Sequence, residues 1–274
     1  MINSDFKKKM TDSWFSYLQA QICKEFESFE KKKKFIRRDW SKKNKNEGGG
    51  TSFILSGGNL FEKVGVNKST VSGKFAKEYK NKILGAGKNG KYWASGVSVV
   101  AHMKNPKIPA IHFNTRFIVT KKEWFGGGMD VTPAIKDEKE RKNLHKILKV
   151  MCDRHNKNYY KKYKKWCDEY FYLPHRKEAR GIGGIFFDYK NDNFENDFKF
   201  VRDVGVTFQM LFNEIIKKKI KRKWTLKDKE FQYIKRGRYA EFNLLYDRGT
   251  KFGLQTGGNV EGILMSLPPI AKWK

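Results

Sequence analysis

Apolar side chains recur at helical spacing along much of the chain. The spacing of apolar side chains within residues 11–40 predicts one helix. Residues 137–155 and 194–219 carry apolar stripes of the same period. These stripes predict two helices, each with one face toward a core. A further helix is predicted over residues 159–173, where it leads into a proline.

The pattern changes to a period of two after residue 93. Residues 93–102 and 111–119 are rich in β-branched and aromatic side chains and predict two strands, joined by the turn KNPKIP. Along the second strand, His112, Asn114 and Arg116 alternate with apolar side chains and therefore project to one face. A polar triplet on a strand face is either a solvated edge or a site.

The remaining elements complete a prediction of the α+β class. Residues 41–52 predict a loop because Gly, Ser and Asn dominate them, and residues 182–188 predict a short buried strand. Three C-terminal segments also predict strands: residues 239–247, 252–256 and 260–269. Short connections and the lack of a dividing linker predict one domain over residues 1–274, with a mostly antiparallel sheet and helices packed on its faces.

The formal net charge of +30 admits two classes of function. A strongly basic chain attracts phosphates, so one interpretation is a basic nucleic-acid-binding protein. No nucleic-acid-binding motif accompanies the charge, however, and a small polyanionic substrate benefits from the same field. We therefore keep nucleic-acid binding only as an alternative and expect no nucleic-acid partner.

Cysteine usage and hydropathy bear on the cellular compartment. The chain has three widely spaced cysteines, which argues against a disulfide framework and indicates a reducing compartment. No apolar run is long enough to span a membrane, and the charged N-terminus lacks the apolar segment of a secretory signal. We therefore expect a cytoplasmic protein without a membrane span.

Two further patterns could carry chemistry. The sequence WFGGGMDVTP at residues 124–133 predicts a tight glycine turn that holds Asp130, and it is either structural or a point of close ligand approach. Asp247 and Arg248 are adjacent near a predicted strand end. Arginines stand out in this lysine-rich chain, and their planar fork suits carboxylate recognition, although surface ion pairing is the plainer alternative. They are Arg116, Arg180, Arg236, Arg238 and Arg248.

The five histidines show no zinc-motif spacing. A metal site shared by distant histidines and a local hydrogen bond for each histidine both remain open. His112 is the best functional candidate, because its strand face also carries Asn114 and Arg116.

Four long segments resemble, in order, the motifs of the oxygen-dependent coproporphyrinogen oxidases, and residues 61–73 resemble another segment of that family. The four are residues 96–117, 123–133, 163–188 (YKKWCDEYFYLPHRKEARGIGGIFFD) and 236–269. The resemblance implies a large flat antiparallel sheet sandwiched between helices on both faces. It also implies a homodimer, to which residues 239–274 contribute, whereas residues 1–47 are expected to form an N-terminal helix and a basic loop.

The resemblance also implies an activity in haem biosynthesis. In that family, the ring A and B propionates of coproporphyrinogen III are oxidatively decarboxylated to vinyl groups, which gives protoporphyrinogen IX. O2 is the co-substrate, CO2 is released and no organic cofactor takes part. Asn259 stands where the family usually has arginine, so a catalytically weakened porphyrin-binding relative is the second interpretation.

Site residues follow from the same resemblance. The family's substrate-binding positions fall on Ser98, Asn114, Thr115, Arg116, Gly257, Gly258 and Asn259. Its proton donor falls on His112. A divalent metal is implied by positions described as ligands in bacterial members, which fall on His102, His112, His145 and His175. The chemistry also needs a base for a pyrrole N–H, for which Asp130 and Asp247 are both candidates, and a guanidinium for a propionate, from Arg116 or Arg248.

Overall fold

One continuous antiparallel sheet organises the chain. The computed structural model describes residues 2–75, 83–87, 89–255 and 258–274. The strands of the main sheet are β1 Ile36–Ser41, β2 Gly48–Ser56, β3 Phe61–Lys74, β4 Lys91–Met103, β5 Ala110–Val119, β6 Glu123–Thr132 and β9 Gly184–Lys190. They lie in the order β1-β2-β3-β4-β5-β6-β9, with every neighbouring pair antiparallel. A separate ribbon pairs β7 Tyr172–Leu173 with β8 Glu178–Ala179.

Helices cover both faces of this sheet. They are α1 Ser4–Ser28, α2 Glu138–His155, α3 Tyr159–Tyr170, α4 Phe194–Lys219, α5 Leu226–Leu245, α6 Arg248–Gln255 and α7 Val260–Leu264. Within the described ranges, none of them is long and apolar enough to cross a membrane.

The main core lies between the sheet and the layer formed by α1 and α4. Phe26 of α1 stacks on Phe61 of β3 and on Phe212 of α4, with ring centroids 5.1 and 4.2 Å apart. Phe113 of β5 stacks on Phe208 of α4 at 4.7 Å. These fully buried rings join two helices to two strands, so the apolar face of the sheet has a fixed position under the helical layer.

The opposite face of the sheet carries the C-terminal helices. Tyr239 of α5 and Met265, directly after α7, pack with Val100 of β4 in a second, smaller cluster. The sheet is therefore sandwiched between helices on both faces, as predicted for the α+β class.

Most elements between residues 91 and 219 match the prediction. The strands β4 and β5 and the helices α2 and α4 lie where the periodicity placed them. Asp137 caps α2 by accepting a hydrogen bond from Glu140 N at 3.1 Å. The predicted polar face of His112, Asn114 and Arg116 is also confirmed, since the alternate side chains of β5 are buried in the main core.

The prediction for the N-terminal region was partly wrong. The first helix begins at Ser4 and ends at Ser28, whereas residues 36–41 form the edge strand β1 and residues 48–56 form β2 rather than a loop. The helical spacing of apolar side chains ends at about Phe29, and the prediction extended the helix beyond this point. The loop was predicted from the glycine content of residues 41–52. Gly50 lies instead within a strand, where a Cβ would meet the Trp40 ring of the neighbouring strand at 2.9 Å.

Two further predictions were also wrong. The GGG sequence is no tight turn: it lies inside β6, which pairs with β5 and β9. The three C-terminal segments lie in α5, α6 and α7 and the irregular residues 246–247 and 265–269, with Thr256 outside the described residues. The buried side chains of α5 recur three and four residues apart, as on one face of a helix. They include Tyr239, Ala240, Phe242 and Asn243. The prediction instead assigned a period of two to this short apolar run.

Candidate functional site

A row of small and polar residues crosses the face of the sheet opposite the main core. Strand pairing aligns one residue from each of five neighbouring strands, β2 to β6, and antiparallel partners share a face. This polar row consists of Ser52, Asn67, Ser98, Asn114 and Gly128. Its members lack bulky apolar side chains. Asn67, Ser98 and Asn114 are half-buried and carry hydrogen-bonding groups, whereas Ser52 and Gly128 are buried. Two of the predicted substrate-binding residues, Ser98 and Asn114, belong to this row.

His112 lies beside the polar row and uses both ring nitrogens. Its Nδ1 lies 2.8 Å from Asp130 Oδ1, on the paired residue of β6. Because a carboxylate accepts, Nδ1 carries the hydrogen, and Nε2 then accepts from Asn114 Nδ2 at 3.0 Å. The imidazole is therefore fixed in one tautomer and one orientation.

Arg116 continues this hydrogen-bonded chain. Its Nη1 donates to Asn114 Oδ1 at 3.2 Å and its Nη2 forms an ion pair with Asp188 Oδ2 at 2.7 Å. Gly126 makes room for the pair, since a Cβ there would lie 2.8 Å from Arg116 Cζ. The guanidinium remains partly exposed, so it can exchange a contact with Asp188 for one with a ligand carboxylate.

Asp130 is enclosed and fully occupied. Its carboxylate receives two hydrogen bonds from Arg180 Nη2, each at 2.7 Å, in addition to the one from His112. Burial acts most strongly on this carboxyl and would raise its pKa, but the charges and hydrogen bonds of Arg180 and His112 outweigh burial and lower the pKa. Asp130 is thus ionised and hydrogen-bonded within the protein.

Three aromatic rings enclose the Arg180 guanidinium. Its Cζ lies 4.1 Å from the ring centroid of Phe171, 4.4 Å from that of Tyr239 and 4.7 Å from that of Phe242. Its Nη1 also donates to Asn243 Oδ1 at 3.2 Å. Cation–π contacts and the Asp130 pair together compensate for the loss of water around this buried charge.

Asp247 caps the start of α6. Its Oδ2 accepts from Thr250 N at 2.7 Å and its Oδ1 accepts from Tyr170 Oη at 2.8 Å. Burial is the largest influence and would raise its pKa, but the Thr250 and Tyr170 hydrogen bonds and the nearby His112 lower it overall. The lowered pKa keeps Asp247 ionised. Unlike Asp130, it is partly exposed.

Arg248 follows Asp247 and is exposed. Its guanidinium carbon lies 5.0 Å from the centroid of the Tyr170 ring, and its backbone N–H donates to Tyr170 Oη at 3.1 Å. Within the described parts of the chain, its side chain forms no ion pair. Asp247 and Arg248 therefore place opposite charges at the same helix start, although they do not share a strand as predicted.

The predicted glycine-rich binding segment is only partly described. Gly257 lies outside the described residues, and Gly258 N donates to Gly253 O at 2.9 Å. Asn259 caps α7, because its Oδ1 accepts from Gly262 N at 2.7 Å. Helix α7 lies over the polar row, since Asn67 Nδ2 donates to Gly262 O.

Thr115 is placed away from the other substrate-binding candidates. Its side chain lies on the face of β5 that packs into the main core and is 1% exposed. Its backbone pairs with Val97 of β4 and Gly127 of β6, so Thr115 offers no side chain to a ligand on the polar face. Asn114 and Arg116, on either side of it, project to that face.

His102 is buried on β4 in a neutral form. Its Nε2 lies 2.9 Å from Ser266 O and must donate to that carbonyl, so Nδ1 carries the lone pair. Nδ1 has no partner among the described residues. His102 and Arg236 both line a cavity of about 20 Å³. Burial lowers the pKa of His102 to about 3, against the effect of the Ser266 carbonyl.

The other histidines have separate partners. His145 Nε2 donates to Ile182 O at 2.8 Å, and His175 pairs with Glu241 Oε2 at 2.8 Å and with Tyr246 Oη at 2.9 Å. The described part of the chain contains no group of three or more His, Cys, Asp or Glu side chains able to hold a metal. Because His102, His145 and His175 each have separate partners, these residues do not fit one metal site shared by the four predicted ligands.

Comparison with known proteins identifies the family. The family model for coproporphyrinogen III oxidase matches residues 10–274. The chain belongs to the coproporphyrinogen III oxidase family. Proteins named oxygen-dependent coproporphyrinogen-III oxidase are similar to it in Rickettsia rickettsii (strain Sheila Smith) at 54% identity, Rickettsia akari (strain Hartford) at 53% and Rickettsia bellii (strain OSU 85-389) at 52%. Each alignment covers 97% of this chain and 98% of the relative.

Several residues of the candidate site of this coproporphyrinogen III oxidase family member were missed in the sequence. Asn67 extends the polar row, Tyr170 orients Asp247, and Asn243 links Arg180 to Ser266 Oγ through a bond of 3.0 Å. Alternation in residues 61–73 could have placed Asn67 on a strand face. Contacts between Tyr170 and Asp247, which are far apart in sequence, leave no such local signal.

The neutral, buried His102 predicts a specific pH dependence of stability in this coproporphyrinogen oxidase family member. Below its ordinary pKa of 6.5 the unfolded chain binds a proton that the folded chain does not, so the free energy of unfolding falls as pH falls. Between pH 7 and pH 5, urea unfolding should show the natural chain losing about 2 kcal/mol more than His102→Gln. Equal losses in the two proteins would show that His102 is not held neutral.

Proposed function

We propose that this chain catalyses the oxygen-dependent conversion of coproporphyrinogen III to protoporphyrinogen IX. The proposal depends on near-full-length identity of 54% to proteins named for that activity. In each half of the reaction one propionate loses CO2 and two electrons, O2 accepts the electrons, and a vinyl group remains. The chain's own residues must bind four carboxylates, orient the reacting propionate and accept a proton.

The polar row and the cations around it suit a flat, tetra-anionic macrocycle. Ser98 and Asn114 offer hydrogen-bonding groups on a surface without bulky side chains, and Gly258 and Asn259 approach from the C-terminal helices. Arg116, on the same face of β5 as Asn114, is partly exposed, and Arg248 is exposed at the start of α6. A bidentate bond from either to a propionate would fix the carboxylate by two contacts. The overall charge of +30 favours capture of such a substrate.

The two candidate bases are not equivalent. Asp130 has both oxygens occupied by Arg180 and is 1% exposed, so a pyrrole N–H has no route to it. Asp247 is partly exposed and ionised, and its lone pairs are not exhausted by Tyr170 and Thr250. We therefore assign the proton-accepting role to Asp247 and a positioning role to Asp130.

His112 then acts as a group held ready for proton transfer. Asp130 fixes the hydrogen on Nδ1, so Nε2 is the atom directed toward the ligand surface beside Asn114. Small movements of the Asn114 amide would release Nε2 to exchange a proton with substrate. Asp130 stabilises the protonated ring by its charge.

We also propose a cytoplasmic enzyme formed by one domain. Strands of one sheet come from residues 36 to 190, which ties the chain together across most of its length. All three cysteines, Cys23, Cys152 and Cys167, are free and buried, as is common in a reducing compartment.

An aerobic assay of porphyrinogen turnover tests the proposed function. Coproporphyrinogen III should be converted to protoporphyrinogen IX in air and not under nitrogen, because no other electron acceptor is supplied. The products are separated and measured by fluorescence after oxidation. Product under both conditions would contradict the dependence on oxygen, and product under neither would favour a porphyrin-binding relative without activity.

Substitution of Asp247 by asparagine separates its chemical role from its structural role. Asparagine is an equally good helix cap, so Asp247→Asn should fold and bind coproporphyrin with an affinity within about threefold of the natural chain. Turnover should fall by roughly a hundredfold or more, because the amide cannot accept the proton. Asp203→Asn changes a half-buried carboxylate of α4 that is bonded to His155, and this matched control should keep full turnover. An Asp247→Asn protein with unchanged turnover would remove this assignment.

A homodimer formed through residues 239–274 is the proposed assembly. This segment exposes large apolar side chains at its surface, which in other proteins of this size often mark an interface. They are Leu244, Leu245, Leu254, Val260, Ile270 and Trp273.

Analytical ultracentrifugation tests this assembly. The natural chain should sediment with twice the mass of one chain, and Leu244→Glu combined with Ile270→Glu should sediment as a monomer, because buried unpaired carboxylates oppose association. Val206→Glu combined with Met210→Glu changes two exposed apolar residues of α4 and should remain a dimer. A double variant at 244 and 270 that still dimerises would place the interface elsewhere.

A further inference from the structure

The connection between α4 and α5 is a strongly basic, exposed segment that also carries large apolar side chains. Residues 215–231, called here the basic corner, contain eight Lys or Arg and two acidic residues. Every residue from 220 to 227 is exposed. Lys217, Lys221 and Lys223 have no ion pair within the described residues, so their charge is not compensated by the fold.

Apolar side chains project from the same segment. Leu226, the first residue of α5, is 84% exposed, and Ile220, Trp224 and Phe231 are also exposed. A helix start is satisfied equally well by a polar side chain, so neither capping nor core packing explains Leu226. Four large apolar groups among lysines are unusual for a surface that meets only water.

The basic corner has a defined conformation. Thr225 and Asp228 form a reciprocal capping box at the start of α5. Asp228 also forms an ion pair with Lys107 at 2.7 Å, and Asn105 Nδ2 donates to Arg222 O at 2.8 Å. These contacts fix the corner to the turn between β4 and β5, so Trp224 and Leu226 are presented on a supported loop.

A basic pocket adjoins the corner. It encloses about 320 Å³ and is lined by Lys107, Ile135, Lys136, Asp137, Lys219, Arg222 and Lys223. Lys219 is committed to Asp137 and Glu140. Lys136 and Lys223 form no ion pair in the described ranges, so the pocket offers uncompensated cations and enough space for a phosphate group.

We propose that the basic corner docks on the surface of an anionic phospholipid bilayer. Trp224 and Leu226 would enter the interfacial region, where tryptophan is favoured, and the lysine stems would lie along it with their charges at the headgroups. The basic pocket would take a headgroup phosphate. If the corner carried only its positive charge, a nucleic acid would be a suitable partner. If it carried only exposed apolar side chains, another protein would be. Their combination on one corner favours an anionic lipid surface.

Co-sedimentation of the full chain with vesicles tests the docking. Vesicles of phosphatidylcholine are compared with vesicles of roughly three parts phosphatidylcholine to one part phosphatidylglycerol. The chain should bind the anionic vesicles and not the neutral ones, and binding should weaken as salt is added. The tryptophan emission should shift to shorter wavelength on binding, and this shift should be absent in Trp224→Phe.

Paired variants separate the apolar and the charged contributions. Trp224→Ser combined with Leu226→Ser should weaken binding by about tenfold, whereas Val206→Ser combined with Met210→Ser should leave it unchanged. Lys221→Gln combined with Lys223→Gln should also weaken binding by about tenfold. Its matched control removes the same charge at the exposed Lys157 and Lys161 and should have little effect.

Three outcomes would overturn the proposal. One is equal binding to neutral and anionic vesicles, or no binding to either. A second is a serine double variant that binds anionic vesicles as well as the natural chain. A third is loss of self-association in that variant without any change in vesicle binding, which would assign the corner to contact between copies. Binding to duplex DNA that is as tight as binding to anionic vesicles, and insensitive to the serine variants, would likewise assign it to nucleic acid.

Discussion

The buried ion pair between Arg180 and Asp130 is the contact on which the polar face of the sheet depends. Arg180 is enclosed by the ring of Phe171, directly after α3, and by two rings of α5, and Asp130 is placed by β6, so the pair joins this helical layer to the sheet. Through Asp130 it fixes the tautomer of His112, and His112 in turn orients Asn114. A buried pair of this kind contributes little net stability, but the loss of one partner leaves an uncompensated charge.

Strand alternation explains how one sheet serves both packing and chemistry. Residues of one parity on β5 enter the core under α1 and α4, and residues of the other parity carry the hydrogen-bonded chain from His112 to Arg116. Because each strand contributes to both faces, a shift of one residue in register would exchange them. The large aromatic core fixes that register, and the register in turn fixes the positions of His112, Asn114 and Arg116 on the polar face.

Local patterns predicted the central strands and the long helices, and with them the shared face of His112 and Arg116. They failed where tertiary contacts decide. The three glycines before Asp130 predicted a turn, whereas they allow close packing of neighbouring strands. The short apolar run before Asp247 was assigned a period of two, whereas it is helical. The partners of Arg180 come from distant segments, so no spacing in the sequence could have shown that Asp130 is enclosed and Asp247 is open.

A double-mutant cycle on the Arg180–Asp130 pair tests this account most directly. Arg180→Met and Asp130→Asn are made singly and together, and the free energy of unfolding is measured with urea. Each single change should cost about 3–5 kcal/mol, and the double variant should lose no more than either single variant, because it leaves no unpaired charge. Losses that simply add would contradict the claim that the two side chains act as one unit.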